Sequence, residues 1–236
     1  MTVLGLIPAR GGSKRLPGKN IKKFGDKPLI AHTICAGLAC KEISRLIVST
    51  EDEEIAAVAR AWGAEVPFIR PPQLATDEAS SLEVVKHALE FVEQERFFPE
   101  YIVLLQPTSP LRESEDISLA LQEMRKGQWD LVISLCASNI HPYWYKTIAV
   151  TGEVKPFFDY QGSLRSQDLA PAFRPNGAIY IYRSEFIRRG KSPVRIGAYI
   201  MEDWKSIDID TALDFFLAEK IWEHRGIFKG MSKSGG

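Results

Sequence analysis

Residues 8–20 read Pro-Ala-Arg-Gly-Gly-Ser-Lys-Arg-Leu-Pro-Gly-Lys-Asn, so Arg10, Lys14, Arg15 and Lys19 fall within ten positions, among three glycines and two prolines. Glycine lets backbone N–H groups approach an anion closely, and four cations can neutralise several phosphate charges. The chemistry this fits is the holding of a triphosphate-sized anion; the alternative is a solvated basic loop. The spacing is not that of the Walker loop, because five residues rather than four separate Gly12 from Gly18, and Asn20 stands where a hydroxyl would reach magnesium. A G-x-G-x-x-G dinucleotide fingerprint is also absent, which removes the main support for a kinase or a dehydrogenase.

Three further stretches carry polar chemistry. In Ser206-Ile-Asp208-Ile-Asp210-Thr211, alternation puts Asp208 and Asp210 on one side of an extended segment. Two such carboxylates repel unless a cation lies between them, and magnesium favours one or two carboxylates plus phosphate oxygens. The competing reading makes Asp210 a helix N-cap and Asp208 a surface residue. Leu104-Leu-Gln106-Pro-Thr108-Ser-Pro-Leu-Arg112 offers Gln106 and Thr108 to a polyhydroxylated ligand and Arg112 to a carboxylate or a structural cap. Arg174-Pro-Asn176-Gly supplies Asn176, or simply a tight turn. Of the four histidines, only His141 stands where ligand contact is worth considering; no Ser-His-Asp arrangement is legible.

These residues need elements to hold them. Val3–Ile7, Arg45–Ser49, Tyr101–Leu105 and Leu131–Leu135 are short apolar runs, the pattern of strands buried on both faces of a parallel sheet. Helical patterns lie between them at 29–38, 53–62, 81–95 and 117–126, with Leu82, Val85, Leu89 and Val92 making one stripe. Strand and helix in alternation imply a doubly wound, mostly parallel α/β sheet. Ligands then bind at the carboxyl ends of the strands, where the cationic stretch and Gln106 both fall. Residues 139–170 break the rhythm with clustered aromatics and short alternating pieces around 150–154 and 156–160, an inserted β-rich arm or a hairpin covering its own sheet. Strands follow at 178–182 and 195–200. A helix follows at 211–224, with Leu213, Phe216, Leu217 and Ile221 on one side and Asp210 at its N-cap. The predicted organisation is a nucleotide-binding α/β domain at 1–138 and 171–230, the arm at 139–170, and a flexible tail at 231–236.

Composition narrows the class. The chain has 236 residues, 45% apolar and 25% charged, as expected of one large globular domain with an insertion. Thirty basic and thirty acidic residues cancel, which argues against a nucleic-acid partner, since polymer binding relies on a basic surface. Three cysteines make no disulfide framework, and reducing cytoplasm is the expected compartment. No apolar run of about 18 residues predicts a membrane span, and no secretory leader is legible.

Taken in order, IPARGGSKRLPGKN, RPPQLATDEASS, LLQPTSPLR, RPNGAIYIY and SIDIDTALDF resemble the cytidine monophosphate–sialic acid synthetases, the acylneuraminate cytidylyltransferases, over nearly the whole chain. The resemblance implies a Rossmann-like nucleotidyltransferase with a small β-rich dimerisation arm. The implied enzyme transfers a cytidylyl group from CTP to a nine-carbon 2-keto sugar acid, with release of pyrophosphate. It assigns Arg10, Ser13, Lys14 and Lys19 to the triphosphate, Asn20 to the cytidine, and Arg70 and Ser80 to the nucleotide's flank. Gln106 is assigned to the sugar, Asn176 to the nucleotide–sugar junction, and Asp208 and Asp210 to magnesium or manganese, with Lys19, Asp208 and Asp210 as the catalytic set. Lys146 and Arg165, in the arm, become sugar-carboxylate or cross-dimer contacts of a homodimer. His141-Pro-Tyr-Trp-Tyr-Lys146 departs from the family's His-Pro-x-Lys form by two extra residues. Relatives acting on legionaminic or pseudaminic acid share the same motifs. A synthetase for the eight-carbon 3-deoxy-manno-octulosonate and a non-catalytic nucleotide-sugar-binding module are the alternatives.

Overall fold

In the first strand, β1 (Val3–Pro8), Val3 and Ile7 pack into one apolar cluster, and Leu4 and Leu6 into another. Full burial of one such side chain contributes about 1.5–3 kcal/mol, so a strand apolar on both faces is driven to the middle of a layered fold. The computed structural model describes residues 2–163, 165–190 and 193–231; of the predicted tail at 231–236, residue 231 ends the last helix and 232–236 lie outside the described residues. The remaining strands are β2 (Lys23–Phe24), β3 (Lys27–Pro28), β4 (Arg45–Ser49), β5 (Tyr101–Leu105), β6 (Leu131–Ala137), β7 (Lys146–Ile148), β8 (Val154–Pro156), β9 (Phe173–Arg183) and β10 (Ile196–Ile200). The helices are α1 (Leu29–Ala39), α2 (Glu53–Ala61), α3 (Ser81–Gln94), α4 (Ser114–Lys126), α5 (Ser184–Arg188), α6 (Ala212–Glu223) and α7 (Arg225–Met231).

A six-stranded sheet runs β10-β6-β9-β5-β1-β4. Its neighbours pair in parallel except at β9, which is antiparallel to both β5 and β6. The apolar cluster on one face takes in α1, α2 and α4, and that on the other takes in α3 and α5. The sheet is therefore doubly wound and mostly parallel, as the alternating pattern predicts.

The antiparallel strand decides where the site lies. Parallel β1, β4, β5, β6 and β10 all deliver their carboxyl ends to one edge. β9 runs the other way, so its amino end (Phe173–Gly177) reaches that same edge. The arm leaves from the end of β6 and returns into the start of β9, its base pinched by the Ser138 N–H donating to the Ala172 carbonyl at 2.9 Å. Within it, β7 and β8 form an antiparallel hairpin, so the arm's strands lie at 146–148 and 154–156 rather than at 150–154 and 156–160. Ile148, Val150, Val154 and Phe157 on this hairpin are all exposed.

Two helix faces differ from expectation. In α3 the buried side is Val84, Val85, Ala88, Leu89 and Val92, with Leu82 left 38% exposed. In α6 the inward residues are Phe215 and Ala218, while Leu213, Phe216 and Leu217 face outward. Phe215 meets Phe24 edge to face at 5.5 Å, an aromatic contact that turns the helix about its axis. Among the described residues no helix is long and apolar enough to cross a membrane.

Candidate active site

The cationic loop leaves the end of β1 and is drawn back by one buried residue, Leu16, which joins an apolar cluster with Phe24, Leu111, Ile209 and Phe215. Ile209 comes from the extended segment before α6, and its N–H donates to the Thr108 carbonyl at 2.9 Å. Because Ile209 turns inward, alternation turns Asp208 and Asp210 the other way, toward the cations flanking Leu16. Apolar burial thus brings together residues some 190 positions apart: the Lys19 ammonium donates to the Ile209 carbonyl at 2.8 Å and to Asp210 at 3.1 Å, and Arg15 reaches Asp210 at 3.2 Å.

Asp210 is not the helix cap. Thr211 is: it accepts from the Asp214 N–H, and Asp214 reaches back to the Thr211 N–H in a capping box. The Asp210 carboxylate is left for the cations. Asp208 lies beside Gly177, which holds φ +75°, a left-handed conformation that favours glycine. Protein walling in the Asp208 carboxyl pushes it above the ordinary carboxylate range, and the Asp210 and Asp214 charges add to the push. A hydrogen bond with Thr108 and the Lys19 charge oppose it. The side chain stays open to solvent in the cleft, which tempers the effect.

These groups line a cavity of about 590 Å³ together with Arg10, Ser13, Lys14, Asn20, Gln106 and Tyr180. Asn20 is buried, donates to the Arg10 carbonyl at 2.9 Å and shapes the loop from within. Asp77, unremarked in the sequence, bridges to Arg10 at 2.6 Å and also to Lys14. All four loop cations are therefore paired with one of two aspartates. Tyr180, half-buried, has its hydroxyl pushed up by burial and by Asp208.

A smaller adjoining cavity of about 210 Å³ is bounded by Arg70, Asp77, Ser81 and Gln106. Arg70 is held at 2.7 Å by Glu51, which also accepts the Gly11 N–H at 2.8 Å. A side chain at Gly11 would have its Cβ 2.3 Å from the Asp52 carboxylate, so that contact needs glycine. The sequence signal for Asp77 is slight: it is one of two adjacent acids, with Glu78, in LATDEASS shortly after Arg70.

Not every expected site residue reaches the cleft. Ser80 caps α3, its hydroxyl engaged with Glu83, and Ser81 lines the adjoining cavity instead. Asn176 is buried away from the cavity, donating to the Ser206 hydroxyl at 2.8 Å and accepting from the Ser134 hydroxyl at 2.6 Å. Lys146 and Arg165 sit exposed on the arm and line neither cavity of their own chain. His141 accepts from the Tyr143 N–H at 3.3 Å at the arm's base, outside the cleft.

A cleft where a glycine-softened cationic loop meets two carboxylates suits the binding and cleavage of a nucleoside triphosphate. The family model described as cytidylyltransferase matches residues 4–230. This chain belongs to the cytidylyltransferase family. It is 39% identical over 233 residues to the CMP-N,N'-diacetyllegionaminic acid synthase of Legionella pneumophila, covering 94% of this chain and 97% of that protein. It is 38% identical over 240 residues to the N-acylneuraminate cytidylyltransferase of Escherichia coli, covering 94% of this chain and 52% of that longer one. Among solved structures, a CMP:2-keto-3-deoxy-manno-octonic acid synthetase complexed with CTP superposes with a TM-score of 0.72 at 18% identity, over 95% of this chain and all of that one. At that identity the likeness is one of fold. The chain is thus a nucleotidyltransferase of the cytidylyl class.

Proposed function

We propose that this cytidylyltransferase activates a nine-carbon 2-keto sugar acid, of the legionaminic, sialic or pseudaminic type, with CTP, giving the CMP-sugar and pyrophosphate. The observation carrying the proposal is the meeting of Lys19 with Asp210, which sets the cationic loop against the carboxylates across one cleft. The anomeric hydroxyl attacks the α-phosphorus in line and gives up its proton to solvent, the bond to the bridging oxygen breaks, and pyrophosphate leaves with the electron pair. Such a transfer depends on positioning and charge neutralisation. Arg10, Ser13, Lys14 and Lys19 hold the triphosphate, and Lys19 faces the charge that grows on the departing pyrophosphate. Asn20, whose side-chain oxygen is buried without a partner among the described residues, has acceptor capacity left toward the nucleotide, and Arg70 lies in the adjoining cavity that fits the base. Gln106 lies where the two cavities meet and turns toward the sugar.

Asp208 and Asp210 form a two-carboxylate, oxygen-only donor pair, and no larger group of potential ligands gathers among the described residues. That donor set fits a hard divalent cation which completes its shell with phosphate oxygens. Asp208 and Asp210 would hold a magnesium or manganese ion, which would supply charge neutralisation at the phosphates; Asp210 would then give up its contacts with Lys19 and Arg15.

The body comprises residues 1–138 and 171–230, and residues 139–170 form the dimerisation arm. The exposed apolar side chains of the arm cover a second copy, and its Lys146 and Arg165 serve that copy's sugar site, in a cytoplasmic enzyme. The test is pyrophosphate release from CTP with N,N'-diacetyllegionaminate, N-acetylneuraminate, pseudaminate and 3-deoxy-manno-octulosonate in turn. Turnover confined to the octulosonate would overturn the substrate class. Turnover with none, in protein that binds CTP, would favour a binding module.

A further inference from the structure

Just after its first three residues, which pair with β6, β9 is pried away from both of its neighbours around residues 176–178. On the β5 side the ladder ends at Leu105 opposite Ile179, so the next two positions, Gln106 and Ala178, are not joined by it. On the β6 side, register jumps between Ile133–Tyr180 and Leu135–Pro175, leaving residues 176–179 of β9 opposite Ser134 alone. An opened sheet leaves buried carbonyls without partners, a cost of about 1–3 kcal/mol each if unmet. Ser134 fills the β6 side, its hydroxyl accepting from the Ile179 N–H at 2.8 Å and donating to Asn176 at 2.6 Å. Arg112 fills the β5 side. Its Nη1 donates to the Gln106 carbonyl at 3.2 Å and to the Ala178 carbonyl at 2.8 Å, one guanidinium nitrogen spanning both sides of the split.

The cost of placing it there is visible. Arg112 is 2% exposed, and neither Nε nor Nη2 has a hydrogen-bond partner among the described residues. The charge that offsets its burial is that of Asp116, which is itself engaged with Lys205 and Tyr199. A sheet that merely needed closing there would be served by strand pairing. The two residues Arg112 ties together adjoin the cleft from opposite sides: Gln106 lines it directly, and Ala178 follows Gly177, which abuts Asp208.

From this geometry we infer that Arg112 is a positioning residue for the transfer reaction: it sets the separation between the Gln106 wall, where the sugar acid lies, and the Gly177–Asp208 wall. The inference rests on the reading of the reaction given above. The nucleotide loop hangs from β1 and Leu16, and the Arg112 side chain donates to Gln106 and Ala178 rather than to that loop, so the expected effect falls on turnover rather than on CTP affinity.

Arg112→Met and Arg112→Lys test this, with CTP affinity by calorimetry, steady-state kinetics by pyrophosphate release, and amide hydrogen exchange of the folded proteins. For Arg112→Met the expected result is native circular dichroism and a CTP Kd within threefold of wild type. kcat falls tenfold or more, and exchange at least tenfold faster is confined to residues 106–108 and 177–179. Arg112→Lys, which keeps the charge and the donors on a shorter stem, recovers part of kcat. A folded Arg112→Met enzyme with kcat within twofold of wild type overturns the inference, as does a loss of CTP affinity that parallels the loss of kcat. If the methionine variant does not fold, the lysine variant decides by the same kcat criterion; if neither folds, Arg112 serves the fold and the inference is wrong. Failure of the wild-type enzyme to release pyrophosphate would instead sink the proposed reaction, leaving the exchange pattern to judge Arg112.

Discussion

Lys19→Ala isolates the contact on which the catalytic reading depends. The Lys19 side chain is 12% exposed, and its ammonium sits 3.1 Å from Asp210 and 2.8 Å from the Ile209 carbonyl. On the proposed reading, a phosphate oxygen takes a place beside the same ammonium when triphosphate binds. Two unit charges about 4 Å apart attract by about 4 kcal/mol at an effective dielectric near 20, and by about 1 kcal/mol in bulk water. With so little of the side chain in water, the value lies toward the first figure. A loss of about 3 kcal/mol in the transition state lowers kcat/KM by about 10²-fold. The same truncation strips the Ile209 carbonyl of its donor, about 1 kcal/mol of stability, or about 2–4 °C in Tm for a chain of this size. Pyrophosphate release with CTP and the preferred sugar acid reads the first quantity, and a thermal melt reads the second. A folded Lys19→Ala enzyme with kcat/KM within threefold of wild type would refute the placing of the loop at the reacting phosphates.

Other perturbations separate roles that lie close together. Asp210→Asn should abolish turnover while the melt stays within a few degrees of wild type, because Thr211 and Asp214, not Asp210, cap α6; a collapse in stability would contradict that division. Thr211→Ala should show the converse, a loss of about 1 kcal/mol from the missing cap with kcat changed less than threefold. Asp77→Asn releases Arg10 and Lys14 from an internal competitor, so the KM for CTP and the inhibition constant for pyrophosphate should both fall, by about two- to fivefold for exposed pairs; a rise in both would make Asp77 an organiser of the loop instead. Burial alone would raise the Asp214 carboxyl, but hydrogen bonds with Thr211 and Asp210 and the Lys19 charge hold it below the usual range. Its contribution is therefore present above the ordinary aspartate value of about 3.9 and lost as pH falls through the lower folded value. The Tm gap between wild type and Asp214→Asn should accordingly narrow in that acid window.

Strands buried on both faces announced themselves: β1, β4, β5 and β6 are mostly apolar runs, and their order with the intervening helices leaves few folds open. β9 was legible only over Ala178–Tyr182. Its first five residues, Phe-Arg-Pro-Asn-Gly, carry a proline and a glycine; Phe173–Pro175 pair with β6, while Asn176 is tied in through side-chain hydrogen bonds, for which there is no periodic signature. α6 misled for a different reason: Leu213, Phe215, Phe216, Leu217 and Ala218 are apolar almost all round, so periodicity could not choose the inward face, and the contact with Phe24 did. The cationic loop and the paired aspartates were legible as types and spacing. That Ile209 between the aspartates is the anchor, and that Asp77 completes the charge pairing, depends on contacts between distant segments. Ser80 shows the limit of motif transfer, since at that position the local demand for a helix cap takes the hydroxyl.

The strand that forms one wall of the cleft is also the stalk of the arm, and this constrains what descendants of the sequence can change. Added or lost residues at the hairpin tip, near Val150–Gly152, are absorbed in solvent. A single insertion or deletion between Phe173 and Gly177 would shift pleat parity and turn every later side chain of β9 to the opposite face, carrying Gly177 away from Asp208. Length polymorphism among variants of this enzyme should therefore accumulate at the arm's far end and be purged at its root.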